Sequence, residues 1–268
     1  MTFQNSKLNI KYIKYIMTTF QIVSDLHIDY NNNEVPNPLS FITPSADILI
    51  LAGDIGSLYK IIQLTEFLIK LCKYFQIVIY IPGNHEYYTQ KNIPHRPMNF
   101  LFKRLKNIEH TIKNLYILNK STIEINNIYI VGCTLWSNPS IPIPRFIVRI
   151  KEMNTKYYTQ KFNEELSYIT DMIEHSKQNK KKLLVVTHYM PTYSIFQNIH
   201  TKNKYISLYT TNLDYLLTKE NIHTWIAGHI HINVDTITTG GTHLIGNQFG
   251  KPKDNIKDYD MKKIIIIN

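Results

Sequence analysis

From residue 20 onward, short runs rich in Ile and Val alternate with longer segments in which apolar residues recur at three- and four-residue intervals. Short apolar runs are typical of buried β-strands, and the wider spacing is typical of amphipathic helices. The runs predict strands at 20–23, 48–52, 77–81, 116–118, 128–132, 183–187, 224–227, 242–245 and 263–267. The longer segments predict helices at 60–74, 98–108, 154–176 and 211–219.

The alternation of strands and helices predicts a mixed α/β architecture, because sheets of this kind are covered by helices. With 268 residues, of which 44% are apolar, the chain can bury one sizeable core. We therefore predict a single domain over 18–268. Residues 1–17 are basic and rich in Asn, and we predict a disordered or loosely packed leader there; an amphipathic helix on a membrane surface is the weaker alternative.

The chain is basic, with a formal net charge of +10 and a pI of about 9.3. The Lys and Arg residues are scattered and do not form a stripe interleaved with aromatic residues. The charge therefore indicates a general attraction for anionic substrates. A dedicated nucleic-acid surface is a weaker explanation of the same charge.

Cys72 and Cys133 each lie inside an apolar run. This position indicates reduced, buried thiols of an intracellular protein. No segment approaches the ~20 uninterrupted apolar residues of a membrane span, and no secretion signal is recognisable. We expect a cytoplasmic protein without a membrane partner, in the host cytoplasm if the source is viral.

Side chains with metal-binding atoms follow five of the predicted strands. They are Asp25, His27, Asp54, Asn84, His85, His188, His229 and His231. Any one of them alone is better explained as a turn, cap or core residue. Together they supply carboxylate, amide and imidazole groups at successive strand ends, and this donor set suits borderline divalent metals.

The motifs that contain these residues are DLH, GD, GNHE, TH and GHIH. In that order they resemble the calcineurin-like metallophosphoesterase superfamily, from about residue 20 to about residue 247. The resemblance implies a two-sheet β-sandwich flanked by helices, with the site at one edge of the sandwich. It also implies that a water bridging two divalent metal ions hydrolyses a phosphate ester.

The same resemblance assigns the residues to two ions that share one carboxylate. The first set is Asp25, His27, Asp54 and His231. The second set is Asp54, Asn84, His188 and His229. By the resemblance, His85 is the general acid and Asn84 also orients the phosphate. Manganese is the expected metal, and Fe, Zn, Co and Ni suit the same mixture of oxygen and nitrogen ligands.

The motifs do not define the substrate. Ser57, Leu58 and Pro82 stand where protein serine/threonine phosphatases of the superfamily have an Asp and two Arg, which argues against that activity. A phosphorylated small molecule or a nucleotide is the expected substrate. A phosphodiesterase or nuclease acting on nucleotides or nucleic acid is the alternative, and a non-catalytic binding module on the same fold is less favoured.

Two insertions between the motifs are candidate substrate contacts. The loop after GNHE contains Tyr87, His95 and Arg96, which offer an aromatic face for stacking and a guanidinium for phosphate. A tyrosine-rich loop packed on the protein surface explains the same residues equally well. The segment 190–213 is the second candidate and is expected to overhang the site.

Overall fold

In a computed structural model, which describes residues 17–90, 92–196 and 205–268, two β-sheets pack face to face between α-helices. The predicted leader lies outside these residues except for Met17. The strands are β1 (Thr18–Val23), β2 (Ile48–Leu51), β3 (Ile77–Tyr80), β4 (Leu115–Ile117), β5 (Ser121–Ile125), β6 (Ile128–Cys133), β7 (Lys182–Thr187), β8 (Thr224–Ile226), β9 (Val234–Ile237), β10 (His243–Gly246) and β11 (Ile264–Ile267). The helices are α1 (Ile61–Leu71), α2 (Met98–Thr111) and α3 (Thr155–Gln178).

The two sheets are built from successive parts of the chain. The first has the order β11-β1-β2-β3-β4, in which β1 to β4 are parallel and β11 pairs antiparallel with β1. The second has the order β5-β6-β7-β8-β10-β9, in which β6, β7, β8 and β10 are parallel. The carboxyl ends of the parallel strands in each sheet therefore open at one edge of that sheet.

Alternate residues of each central strand face two different hydrophobic layers. In β2, Ile48 and Ile50 belong to the layer between the sheets, whereas Leu49 and Leu51 belong to the layer beneath the helices. Because both faces of the strand are buried, its sequence is a continuous apolar run. The fold implied by the resemblance, a two-sheet sandwich with flanking helices, is confirmed.

The helices cover the outer faces of the sheets. The buried side of α1, which includes Leu64 and Phe67, shares one hydrophobic cluster with the outward residues of β2. α2 contacts β4, and α3 contacts β6 and β7. Asn154 begins α3 by accepting a hydrogen bond from the Tyr157 N–H, which satisfies one of the free amides of the first turn. No helix in the described ranges is long and apolar enough to cross a membrane.

Three elements differ from the prediction. β5 and β9 were not predicted as strands, and both lie at edges of the second sheet. The helix predicted at 211–219 is wrong: only Asp214–Leu216 forms a single 3₁₀ turn. Beyond that turn, the Lys219 N–H donates to the Gly240 carbonyl, so the backbone forms a non-local contact in place of another helical turn. Both cysteines are free and buried, as predicted.

Candidate metal centre

The eight candidate residues from the sequence motifs converge at the edge where the parallel strands of both sheets end. The loops after β1, β2 and β3 carry those from the first sheet, and the loops after β7 and β8 carry those from the second. Ligand atoms lie within 4.8 Å of one another in three groups. The groups are Asp25 with His27 and His231, His27 with Asp54 and His85, and Asp54 with His188 and His229.

Asp54 lies between the other ligand side chains. Its Oδ1 is 3.2 Å from His188 Nε2, and its Oδ2 is 3.8 Å from His27 Nε2. His188 Nε2 is also 3.0 Å from Asn84 Oδ1. On the far side of His27, His231 Nε2 is 3.2 Å from Asp25 Oδ1. The two oxygens of Asp54 thus face different groups of ligands, as a carboxylate shared by two ions would require.

Ring nitrogens of different ligand histidines lie close to one another, and their distances indicate whether the site suits a metal ion. His27 Nε2 is 3.1 Å from His231 Nε2, and His229 Nδ1 is 3.2 Å from His188 Nε2. Nitrogens converge in this way when they share either a proton or a common ion. The buried His27 Nδ1 and His229 Nε2 also have no hydrogen-bond partner among the described residues. The residues present therefore fit divalent ions with mixed oxygen and nitrogen ligands.

The backbone at the site is strained. Five of the expected ligands adopt the left-handed conformation that non-glycine residues avoid, at a cost of roughly 1–2 kcal/mol each. They are Asp25 (φ 56°), His27 (φ 46°), Asp54 (φ 54°), His229 (φ 76°) and His231 (φ 54°). Such strain persists where the surrounding structure enforces it, and it is concentrated at functional sites.

Two glycines let the ligand loops approach closely. A Cβ on Gly53, whose φ is 89°, would lie 2.4 Å from His188 Nδ1. A Cβ on Gly83 would lie 2.3 Å from Asp54 Oδ1. Because any larger residue would collide with a ligand side chain, the chemistry of the site requires glycine before both Asp54 and Asn84.

Ionisation differs sharply between the ligand side chains. Burial opposes the charge of Asp25 and Asp54, but neighbouring histidines outweigh it and hold the pKa of both carboxyls below the ordinary range. Burial would likewise lower the pKa of His188, yet the charge of Asp54 raises it to about 9. Burial lowers the pKa of His27 to about 4 and holds that of His85 well below its usual value.

Glu86, the last residue of GNHE, connects two ligand loops. Its carboxylate accepts hydrogen bonds from the N–H groups of Asp54 (3.1 Å), Ile55 (2.8 Å) and Gly83 (2.9 Å) and from the Tyr80 hydroxyl (2.6 Å). Burial raises its pKa to about 8. The side chain therefore fixes the loop after β2 to the loop after β3 and contributes to the shape of the site without entering it.

Asp254 supports one ligand from outside the motifs. Its Oδ2 accepts a hydrogen bond from His231 Nδ1 at 2.5 Å and another from the Lys251 N–H at 2.8 Å. A carboxylate on the second ring nitrogen fixes the orientation of a ligand histidine and leaves Nε2 free to bind. The sequence gives no local signal for this residue, because it follows the last motif.

A cavity of about 460 Å³ opens directly above the ligand groups. Asp54, Asn84, His85, His229 and His231 form part of its lining. The rest of the lining combines cations with aromatic side chains. They include Tyr30, Tyr88, Phe146, Arg149, Tyr209 and Lys251. The volume suits a small molecule, and the cations suit one that carries phosphate.

The predicted substrate contacts lie elsewhere. Tyr87 is buried in the core, with its ring 6.4 Å from that of Trp136, and it does not line the cavity. His95 and Arg96 are exposed and outside the cavity lining, and the Arg96 guanidinium lies over the Phe100 ring. Their prediction as substrate contacts is not supported by their positions.

The neighbouring Tyr88 faces the cavity instead of Tyr87. Its ring stacks on that of His85, with 4.4 Å between centroids and 30° between planes. The Arg149 guanidinium lies 5.5 Å from the Tyr88 ring centroid, on the same wall. From the second predicted segment, Ile206 and Tyr209 line the cavity, whereas residues 197–204 lie outside the described ranges.

Sequence reasoning missed the segment that carries Phe146 and Arg149. It follows β6, which runs parallel to β7 and ends at the same edge of the sheet. The position after a parallel strand is the available signal, because loops at the carboxyl ends of such strands meet at one site. The segment carries no histidine or acidic ligand motif, and this explains why a search for metal-binding residues passes over it.

Comparison with known proteins gives three findings. The model of the calcineurin-like phosphoesterase family matches residues 18–233. An uncharacterized protein of Acanthamoeba polyphaga mimivirus is 28% identical over 287 aligned residues, covering 94% of this chain and all of the viral protein. The crystal structure of phosphopantetheinyl hydrolase from Mycobacterium tuberculosis aligns with a TM-score of 0.69 and 18% identity, covering 93% of this chain and 95% of that one.

Proposed function

Because the chain belongs to the calcineurin-like phosphoesterase family, we propose that it hydrolyses a phosphate ester at two divalent metal ions. The observation that carries the proposal is the position of Asp54, whose carboxylate faces two different groups of ligand atoms. When bound, the two ions supply a water that is acidic enough to attack at neutral pH, together with positive charge on the phosphate oxygens.

The ligand sets proposed are those implied by the motifs. Asp25, His27, Asp54 and His231 would hold one ion, and Asp54, Asn84, His188 and His229 would hold the other. The groups of ligand atoms in the structure support this division. Manganese is the metal we expect, because carboxylate and amide oxygens accompany the imidazoles.

His85 is the proposed general acid, and Asn84 would orient the phosphate. Burial holds the pKa of His85 low in the substrate-free protein, so its ring is then neutral. An anionic phosphate in the cavity favours the protonated ring, so the donor forms in the complex with substrate. Stacking on Tyr88 and edge contact with His27, at 4.7 Å between centroids, hold the ring in place.

The size and polarity of the cavity support a small phosphorylated molecule or a nucleotide as substrate. Its volume of about 460 Å³ lies in the range of small-ligand pockets. Arg149 and Lys251 offer positive charge, and Tyr30, Phe146 and Tyr209 offer apolar or stacking surface. A nucleic acid remains the weaker alternative, since it would need a longer cationic track along the surface.

The test is hydrolysis of p-nitrophenyl phosphate and its phenyl diester by metal-stripped protein, before and after Mn²⁺ is restored. We expect activity only with metal. The His85→Ala variant should be about 10²–10⁴-fold slower, because this is the usual contribution of a positioned proton donor.

His95→Ala is the matched control, because His95 is exposed and outside the cavity. It should hydrolyse both esters at the unsubstituted rate. Bound metal without hydrolysis of either ester would contradict the proposal and favour a binding module. Full activity in His85→Ala would contradict the role of that residue alone.

A further inference from the structure

A second, smaller cavity of about 280 Å³ adjoins the first. Both cavities are lined by Tyr30, His85, Tyr88 and Arg149, so these side chains form the boundary between them. Among the residues grouped as metal ligands, only His85 faces the smaller cavity. The expected ligands Asp54, Asn84, His229 and His231 all face the larger one.

Bulky apolar side chains beyond the shared boundary line only the larger of these two cavities. Beyond the shared residues, the smaller cavity is lined by Asp29, Ser57, Lys60, Thr89 and Gln90, all of which are polar. Besides the expected ligands and Lys251 and Lys253, the larger cavity is lined by Phe146, Ile147, Phe196, Ile206, Tyr209 and Ile232, which offer a surface for an apolar or aromatic group.

From this arrangement, and resting on the proposed function, we infer that the substrate is a phosphodiester with one organic group in each cavity. The phosphate must lie in the larger cavity, because four of the expected ligands line it. The oxygen that leaves must face the proton donor, His85. The group attached to that oxygen then extends past His85 into the smaller cavity, and the other group stays against the aromatic wall.

Each bond and proton in the reaction is accounted for by water, the substrate and His85. The oxygen of water forms a bond to phosphorus, and the bond from phosphorus to the leaving oxygen breaks with its electron pair. That oxygen takes the proton of His85 and departs as an alcohol through the smaller cavity. A proton from the attacking water restores His85. The phosphomonoester product keeps the apolar group and remains in the larger cavity.

Thr89 and Ile232 provide a matched pair of positions for the test, because each lines only one of the two cavities. Thr89→Trp fills the smaller cavity and Ile232→Trp fills the larger. The substrates are p-nitrophenyl phosphate and phenyl p-nitrophenyl phosphate, which share one leaving group. Only the diester has an organic group that stays on phosphorus.

We expect Thr89→Trp to lower kcat/KM at least tenfold for both esters, because both release p-nitrophenol. Ile232→Trp should lower kcat/KM for the diester only. The unsubstituted protein should hydrolyse the diester with the higher kcat/KM. Gln90→Trp, in the same smaller cavity, repeats the first comparison if the Thr89 variant does not fold.

Normal kinetics in folded Thr89→Trp and Gln90→Trp, or equal losses for both esters in Ile232→Trp, would overturn the inference by placing the leaving group in the larger cavity. A higher kcat/KM for the monoester would overturn the diester assignment. If the unsubstituted protein hydrolysed neither ester with metal present, the proposed function would fail, and this inference would fail with it.

Discussion

Single buried charges decide how this protein responds to pH, and Glu165 in α3 is one that lies away from the metal centre. It is buried and accepts hydrogen bonds from the N–H groups of Leu135 and Trp136. Burial raises its pKa from 4.5 to about 7. Between these values the folded protein holds a proton that the unfolded chain has lost, so the free energy of unfolding falls as pH rises.

We expect Glu165→Gln to remove the contribution of Glu165 to this pH dependence. The amide oxygen can accept the same two hydrogen bonds and carries no charge. Between pH 5 and pH 8 the free energy of unfolding of the metal-free protein, measured with urea, should fall by up to about 3 kcal/mol less in the variant than in the unsubstituted protein.

Glu164→Gln is the control for this measurement. Ion pairs with Lys120 and Lys161 lie beside Glu164, and its hydrogen bonds to Lys120 and Gln160 lower its pKa to about 2. In the folded protein, the Glu164 carboxylate therefore takes up a proton only below pH 5, outside the range measured. Parallel pH curves for the unsubstituted protein and Glu165→Gln would contradict the assignment of the pH dependence to Glu165.

At the scale of elements, the turns that follow the strands determine the metal centre. Gly53 and Gly241 both have φ near 90°, at 89° and 92°, but their surroundings differ. A Cβ on Gly53 would lie 2.4 Å from His188 Nδ1, whereas a Cβ on Gly241 would come no closer than 3.1 Å to its nearest neighbour, Lys219 Cβ. Substitutions at these two glycines therefore distinguish the cost of backbone strain from the cost of a collision with a ligand side chain.

We expect Gly241→Ala to lose about 1–2 kcal/mol of unfolding free energy and to keep its activity. Gly53→Ala should lose a further 1–3 kcal/mol or so, since the collision is with a buried ring, and should lose most metal-dependent hydrolysis. Urea unfolding and the diester assay measure the two effects. Equal loss of stability in both variants, with activity kept, would show that His188 moves aside freely.

The elements that could be predicted from sequence are those with strong local signals. Central strands such as β2 are buried on both faces and therefore have continuous apolar runs. β5 has a signal that was overlooked: Asn126 and Asn127, both with positive φ, form the two-residue turn that joins it to β6. β9 is exposed at three of its four positions, so its sequence lacks the apolar alternation of a half-buried strand.

The residues of the site likewise divide into those with a local sequence signal and those without one. The ligand residues were predictable because each belongs to a short motif at a strand end. Arg149 and Asp254 belong to no sequence motif, and only the folded chain brings them to the site. The helix predicted at 211–219 followed the spacing of Leu213, Leu216 and Leu217, but so short a helix is marginal unless tertiary contacts support it. Here the contacts with Gly240 favour the extended chain.

At the scale of the whole molecule, the expected metal ligands come from both sheets. Asp25, Asp54 and Asn84 follow strands of the first sheet, and His188 and His229 follow strands of the second. Ions bound between them would connect the sheets across the open edge of the sandwich. Because the unfolded chain lacks this arrangement, binding should stabilise the folded protein.

We expect Mn²⁺ to raise the Tm of metal-stripped protein in a concentration-dependent way, with a gain near 2.7 kcal/mol at a hundredfold excess over Kd. Differential scanning calorimetry would measure the shift. Asp54→Asn should bind less metal and show little shift, whereas Asp171→Asn, on the exposed face of α3, should behave like the unsubstituted protein. The same shift in all three proteins would indicate that the metal binds elsewhere.

The pairing of β1 with β11 has a consequence for how the protein is made. Gln21 lies opposite Ile264, so one side of β1 finds its partner only after more than 240 further residues have been translated. At about 5–20 residues per second, the interval is roughly ten to fifty seconds. During that time the unpaired N–H and C=O groups of β1 are open to other nascent chains on the same polysome. The yield of active protein in cells should therefore depend on chaperones that bind during translation.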